Sequence, residues 1–224
     1  MRIKKSTLKY LSDLKKNNNR EWYNEHKDIF LKEQSKIKEV HNVFLENLNK
    51  HDKIERYKLY RIYRDVRFSK DKTPYQPHFA ASFSRKGKEL RGSYYIQIKP
   101  DGNSFLGGGF WNPEKEDLMR IRKEFELDSS EMREILADKK FISIFGKIEG
   151  NELKTAPRGF DKNHPDIDLI RKKGFVAIRR FTDEEVLSNN FINIVDDSFK
   201  ALRPFFDLFS DILTTDLNGE SSIV

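Results

Sequence analysis

Residues 79–110 read FAASFSRKGKELRGSYYIQIKPDGNSFLGGGF, and their spacing decides the fold. Apolar and aromatic residues run over 79–83, 93–99 and 104–110, which is strand length rather than helix length. The polar segment SRKGKELRG separates the first two runs, so a hairpin is the simplest arrangement. Pro100, Asp101, Gly102 and Asn103 supply turn chemistry between the second and third. Upstream, residues 59–68 alternate aromatic and β-branched residues with charges and read as another strand. Pro74 and Pro77 then exclude a regular helix and mark a turn or an edge. Downstream, 152–155 reads as a short strand and 175–181 as a longer one.

Helical periodicity lies outside this run. Leu8, Leu11 and Leu14 recur at spacing three over 6–16, and Asn17, Asn18 and Asn19 break the pattern. Asn18 with Glu21 resembles a capping box for a helix over 20–48, with a break near His26. Its apolar face carries Phe30, Ile37, Val40, Phe44 and Leu48. Asn112, Pro113 and Glu114 form a helix start, followed by Leu118, Ile121 and Phe125 on one face. Asp128 or Ser129 caps a further helix through Leu136, and a short one spans 166–172. The C-terminal helix, 190–213, has Phe199, Leu202, Phe206, Phe209 and Leu213 as its stripe, and Pro204 kinks or restarts it. Helices flank the strands rather than alternating with them. The fold class expected is therefore α+β: N-terminal helices, a central mostly antiparallel sheet, then C-terminal helices.

The chain has 224 residues with 18 Phe and 8 Tyr, enough for a real core. Its length suits one domain over 1–213, with a polar, flexible tail over 214–224. Cysteine is absent, which excludes disulfides, thiolate nucleophiles and cysteine-ligated metal sites. No run approaches the ~18 apolar residues of a membrane helix, and the N-terminus has no signal-peptide core. A protein of the cytoplasm, with no membrane partner, is the expectation.

The net charge of +7 is localised. Residues 51–100 hold thirteen Lys and Arg against five Asp and Glu, while the remainder is nearly balanced. Such a field attracts phosphates, nucleotides, nucleic acid or other polyanions. At its centre lies RIYRDVRFSKDKTPY, residues 61–75. If this segment is a strand, Arg61, Tyr63, Asp65 and Arg67 share one face. Arg64 then lies on the apolar other face, where it needs a carboxylate, carbonyl cluster or bound anion as partner. Paired guanidiniums take phosphate or carboxylate bidentately. Asp65 and Asp71 would orient the cations or act as acid/base groups, and Tyr75 adds a hydroxyl or a stacking surface. The bland alternative is a structural ion-pair network that only fixes the proline-rich loop.

The motif R-x-x-R-D-x-R-F-S-x-D-K-x-P-Y resembles the signature of a mainly bacterial family, domain of unknown function 2461. Residues 17–27, 94–114, 156–177 and 201–209 resemble it as well, so the likeness covers nearly the whole chain. The resemblance implies no catalytic role. It singles out Arg61, Arg64, Asp65, Arg67, Phe68, Asp71, Lys72 and Tyr75 as hallmark positions.

Weaker candidates complete the set. Gly108 lies in a glycine triplet ahead of a helix start, where backbone N–H groups can cradle phosphate, but the P-loop lysine is missing. Close packing is the simpler reason for those glycines. Arg158 and Lys173 fall in the family-like block and would extend the positive surface. His78, next to Pro77, is a candidate proton-transfer group. His26, His41, His51, His78 and His164 are scattered without ligand spacing, so no metal site is expected, and no cofactor is indicated. Tyr57, Tyr60, Tyr63, Phe68 and Tyr75 interleave with the basic residues, as in a stacking platform for single strands. The first expectation is an anionic small molecule bound by Arg61, Arg64, Arg67, Lys72 and Tyr75. A basic face for nucleic acid or an acidic partner comes second, and the structural network third.

Overall fold

The computed structural model describes residues 1–223. Three helices come first: α1 (Lys5–Lys16), α2 (Arg20–Glu25) and α3 (Lys27–His51). Four strands follow: β1 (Ile54–Leu59), β2 (Phe79–Arg85), β3 (Ser93–Ile98) and β4 (Ser104–Phe110). Next come α4 (Lys115–Leu127), α5 (Ser130–Ala137), α6 (Lys139–Phe145) and α7 (Ile167–Ile170), then β5 (Phe175–Phe181). The chain closes with α8 (Asp183–Leu187), α9 (Phe191–Ala201) and α10 (Arg203–Thr214). The strands form one antiparallel sheet in the order β1-β2-β3-β4-β5, so the fold is α+β. Strand β3 is buried at every second residue, as a sheet face requires, whereas β2 is buried almost throughout.

Contacts gather the residues into two compact units. The first comprises Met1–Phe83, Tyr95–Leu106 and Arg180–Asp197. Its core is built on α3, which buries Phe30, Ile37, Val40, Phe44 and Leu48. Phe30 stacks on Phe79, and Phe44 meets the edge of Phe191. The break before α3 falls at His26, as its position in the pattern suggests. Asn19, rather than Asn18, caps α2 by accepting from the Trp22 N–H.

The second unit comprises Ser84–Tyr94, Gly107–Arg179 and Ser198–Val224. Phe209 of α10 is its aromatic hub, stacked on Phe110 and touching Phe125, Phe175 and Phe205. Pro204 sits in the first turn of α10 and restarts the helix after α9, since it brings no N–H to a continuous ladder. Helices α6 and α8 were not foreseen from periodicity: both are only one to two turns long. Residues 152–155 form no strand and contribute only a bridge between Glu152 and Lys172. Thr215 and Ser221 bridge across a terminal turn, which Arg120 holds through the Thr215 and Asp216 carbonyls. None of the helices is long and apolar enough to cross a membrane among the described residues.

The strand expected over 59–68 is corrected. Strand β1 ends at Leu59, and residues 60–78 make a long loop back to β2. The returning arm contains Pro74 and Pro77, which have no N–H for a ladder, so regular pairing stops.

Candidate functional site

The loop between β1 and β2 has a laced base and an open tip. At the base, the Tyr60 N–H donates to Ala80, the Gln76 N–H to Ile62 and the Arg64 N–H to Pro74. Tyr63 and Tyr75 form an isolated antiparallel bridge. Asn18, at the end of the first helical turn region, grips the same strand of the base. Its amide donates to the Tyr75 carbonyl at 2.9 Å, and its carbonyl accepts the Tyr75 N–H at 3.0 Å. Tyr75 is only 3% exposed and stacks on Tyr23 with ring centroids 4.2 Å apart. Burial and a hydrogen bond with Tyr63 push the Tyr23 phenol above its ordinary range. Tyr75 is therefore an anchor for the loop, its ring committed to a tyrosine cluster with Tyr23 and Tyr63.

At the tip, each acid is matched to a neighbouring cation. Asp65 accepts from Arg67 three times: from the backbone N–H, from Nε at 3.0 Å and from Nη2 at 2.7 Å. Asp71 accepts from the backbone and hydroxyl of Thr73 and from Arg64 Nη1. Arg64 also donates to the Thr73 hydroxyl at 3.0 Å. The partner that Arg64 demands in sequence is thus a carboxylate seven residues on. Lys72 donates from Nζ to the Val66 carbonyl at 2.9 Å. Arg61 is exposed and makes no hydrogen bond among the described residues, although its charge helps to lower Asp65. Phe68 stands almost fully in solvent, 97% exposed.

These contacts set the chemistry available. The Thr73 hydrogen bonds, then Arg64, hold Asp71 at about 2, and Arg67 keeps Asp65 below the usual carboxylate range. Both are firm anions and poor proton acceptors at neutral pH. His78 differs. Burial, with help from Lys99 and Arg64, lowers it to about 4, so it is a neutral imidazole at neutral pH. Its backbone N–H donates to Gln76. The loop therefore brings Arg61, Arg64, Asp65, Arg67, Asp71 and Lys72 onto one short segment, with Tyr75 and His78 at its base.

The weaker candidates fall in the second unit. A Cβ on Gly108 would lie 2.5 Å from the Phe206 ring, so an aromatic side chain fills the space above that backbone. Arg158 and Lys173 are exposed, and their side chains make no hydrogen bond among the described residues. Among those residues, no group of three or more histidines and carboxylates is arranged to hold a metal. Sequence reasoning missed Asn18 and Tyr23 as supports of the loop. The Asn17–Asn19 run was the available signal, but a cap claims such residues first.

Comparison with known proteins gives one match. A family model described as Conserved hypothetical protein (DUF2461) matches residues 6–208. Neither the curated proteins nor the solved structures contain a match. With more than nine-tenths of the chain covered by that model, the protein belongs to the DUF2461 family.

Proposed function

We propose that the 60–78 loop is a recognition surface for a polyanion, and that single-stranded nucleic acid is the polyanion it suits best. The observation that carries this reading is Phe68. A fully exposed phenylalanine costs solubility, and here it is set among the exposed cations Arg61, Arg67, Lys70 and Lys72. Stacking on an aromatic face, with cations tracking the phosphates, is how single strands are held without sequence preference. Tyr60 and Tyr63, 39% and 50% exposed, extend the aromatic surface from the same loop.

A second reading keeps a small anion, bearing phosphate or carboxylate, as the ligand. It is favoured by the Arg67–Asp65 pair, whose side chains are 77% and 45% exposed. Exposed pairs hold each other by little, about 0–1 kcal/mol, so an incoming anion can take the place of Asp65 on the guanidinium.

Anisotropy of a short labelled oligothymidylate separates the two. Under the first reading the affinity falls steeply with salt, and Arg61→Ala reduces the salt slope by about 0.7. Phe68→Ala weakens binding by about 1–3 kcal/mol without changing the melting temperature. Thermal stabilisation by inorganic phosphate or a nucleotide, lost in Arg67→Ala and without any oligonucleotide binding, supports the second reading. Binding of poly-glutamate as tight as that of the oligonucleotide, with Phe68→Ala neutral, would overturn the stacking role. No response to any of these probes overturns both readings.

A further inference from the structure

The first unit contains a cavity that the loop reading does not use. It lies among α1, α2 and α3 and has a volume of about 300 Å³. Tyr10, Trp22, His26 and Ile29 form its apolar wall, and Asp13 and Glu33 bring carboxylates to it. That volume is at the small end of the ~300–1,000 Å³ range of small-molecule sites, so it suits a single ring with a short appendage.

Three features give the cavity a chemistry. First, its aromatic wall is held in place. The His26 ring lies flat on the Trp22 indole, with centroids 4.0 Å apart and planes 12° from parallel, and its Nδ1 donates to the Trp22 carbonyl. Tyr10 leans on the same indole at 5.9 Å. Second, Glu33 is a carboxylate only 3% exposed. Thr7 donates to one oxygen at 2.7 Å and Lys36 to the other at 2.6 Å. Each carboxylate oxygen accepts two hydrogen bonds, so capacity for a further donor remains. Third, the wall carries two carboxylates against one cation, Lys9, in a chain whose net charge is +7. An anionic ligand meets repulsion there, and a cation meets both attraction and aromatic faces.

We propose that this cavity binds a small organic cation, a protonated amine on a flat apolar body. The ammonium lies toward Glu33 and Asp13, and the body lies against Tyr10, Trp22 and Ile29. The site is independent of the loop and selects the opposite charge, so failure of one reading leaves the other standing.

The chain has two tryptophans, and Trp111 is 49% exposed. Trp111→Phe therefore leaves Trp22 as the sole indole reporter. In that background, benzylamine is expected to change Trp22 emission saturably, benzyl alcohol to bind about tenfold more weakly, and benzoate not at all. Glu33→Gln weakens benzylamine about tenfold and leaves benzyl alcohol unchanged. Glu33 also ties α1 to α3, so Asp13→Asn, at a partly exposed position, provides a variant that tests the charge without touching that tie. Equal binding of benzylamine and its alcohol would mean an apolar crevice only and overturns the proposal. So does the absence of saturation through the millimolar range, or benzylamine affinity unchanged in both variants.

Discussion

Asn18 does more for the candidate loop than any of the charged residues that mark it. Its side chain closes a two-bond ring with the Tyr75 backbone across 57 residues of sequence. The donor and acceptor it satisfies belong to a residue that is almost fully buried, where an unmade hydrogen bond costs about 1–3 kcal/mol. Asn18→Ala is expected to lower stability by about that amount and to expose the loop to protease cleavage between residues 64 and 74. Thermal unfolding together with limited proteolysis checks this; a variant as stable and as resistant as wild type refutes the anchoring role. The sequence makes Arg64 legible, because a guanidinium on a partly apolar segment requires a partner, and Asp71 is in reach. It does not make Asn18 legible. Three consecutive asparagines offer three similar side chains, and only the path of the chain decides that Asn19 caps while Asn18 reaches across. Tyr75 was hard to read for the same reason: an aromatic hydroxyl beside a basic motif looks like a ligand contact until Tyr23 covers its face.

Among the elements, strands β2 to β5 could be read from apolar run length and turn residues, and α1, α3 and α10 from their stripes. The 59–68 segment could not, because its alternation of aromatics and charges is equally compatible with a loop braced by its own ion pairs. Strand β4 shows where a local rule and its packing reason coincide. Gly109 has φ +136°, and a Cβ there would lie 2.1 Å from the Phe175 carbonyl oxygen. Neither the dihedral nor the contact is relieved by a flexible side chain, since the obstacle is backbone. Gly109→Ala therefore costs about 3 kcal/mol or more, at the severe end for a single methyl group. Guanidinium unfolding is the measurement, and a loss below about 1 kcal/mol would show that β4 and β5 separate easily. A glycine triplet before a helix start invites a phosphate reading in sequence; here the neighbouring chain occupies the space instead.

For the whole molecule, the localised positive charge was legible from composition, but its distribution between solvent and internal pairs was not. The titration behaviour of the fold follows from burial more than from that charge. His41 is wholly buried, shares one hydrogen bond with the Tyr57 hydroxyl and leaves Nε2 without a partner among the described residues. Burial lowers it from 6.5 to about 4, and His78 moves in the same direction to about 4. In both cases the unfolded chain binds the proton more readily. The associated stability is therefore complete above pH 6.5 and is lost as pH falls through 4. For His41 alone the loss is about 3 kcal/mol over that window, at about 1.36 kcal/mol per pKa unit. At the other end, burial raises the Tyr57 and Tyr95 phenols to about 12, so stability holds below pH 10 and declines above it. The expected profile is a plateau between about pH 6.5 and 10 with a fall on each side. Denaturant midpoints measured from pH 4 to 8 test the acid limb, and His41→Leu is expected to flatten it by about one proton while lowering the plateau through the lost Tyr57 contact. An acid limb as steep in His41→Leu as in wild type would place the titration elsewhere, in the tip carboxylates Asp65 and Asp71, whose depressed values act only below pH 3.8.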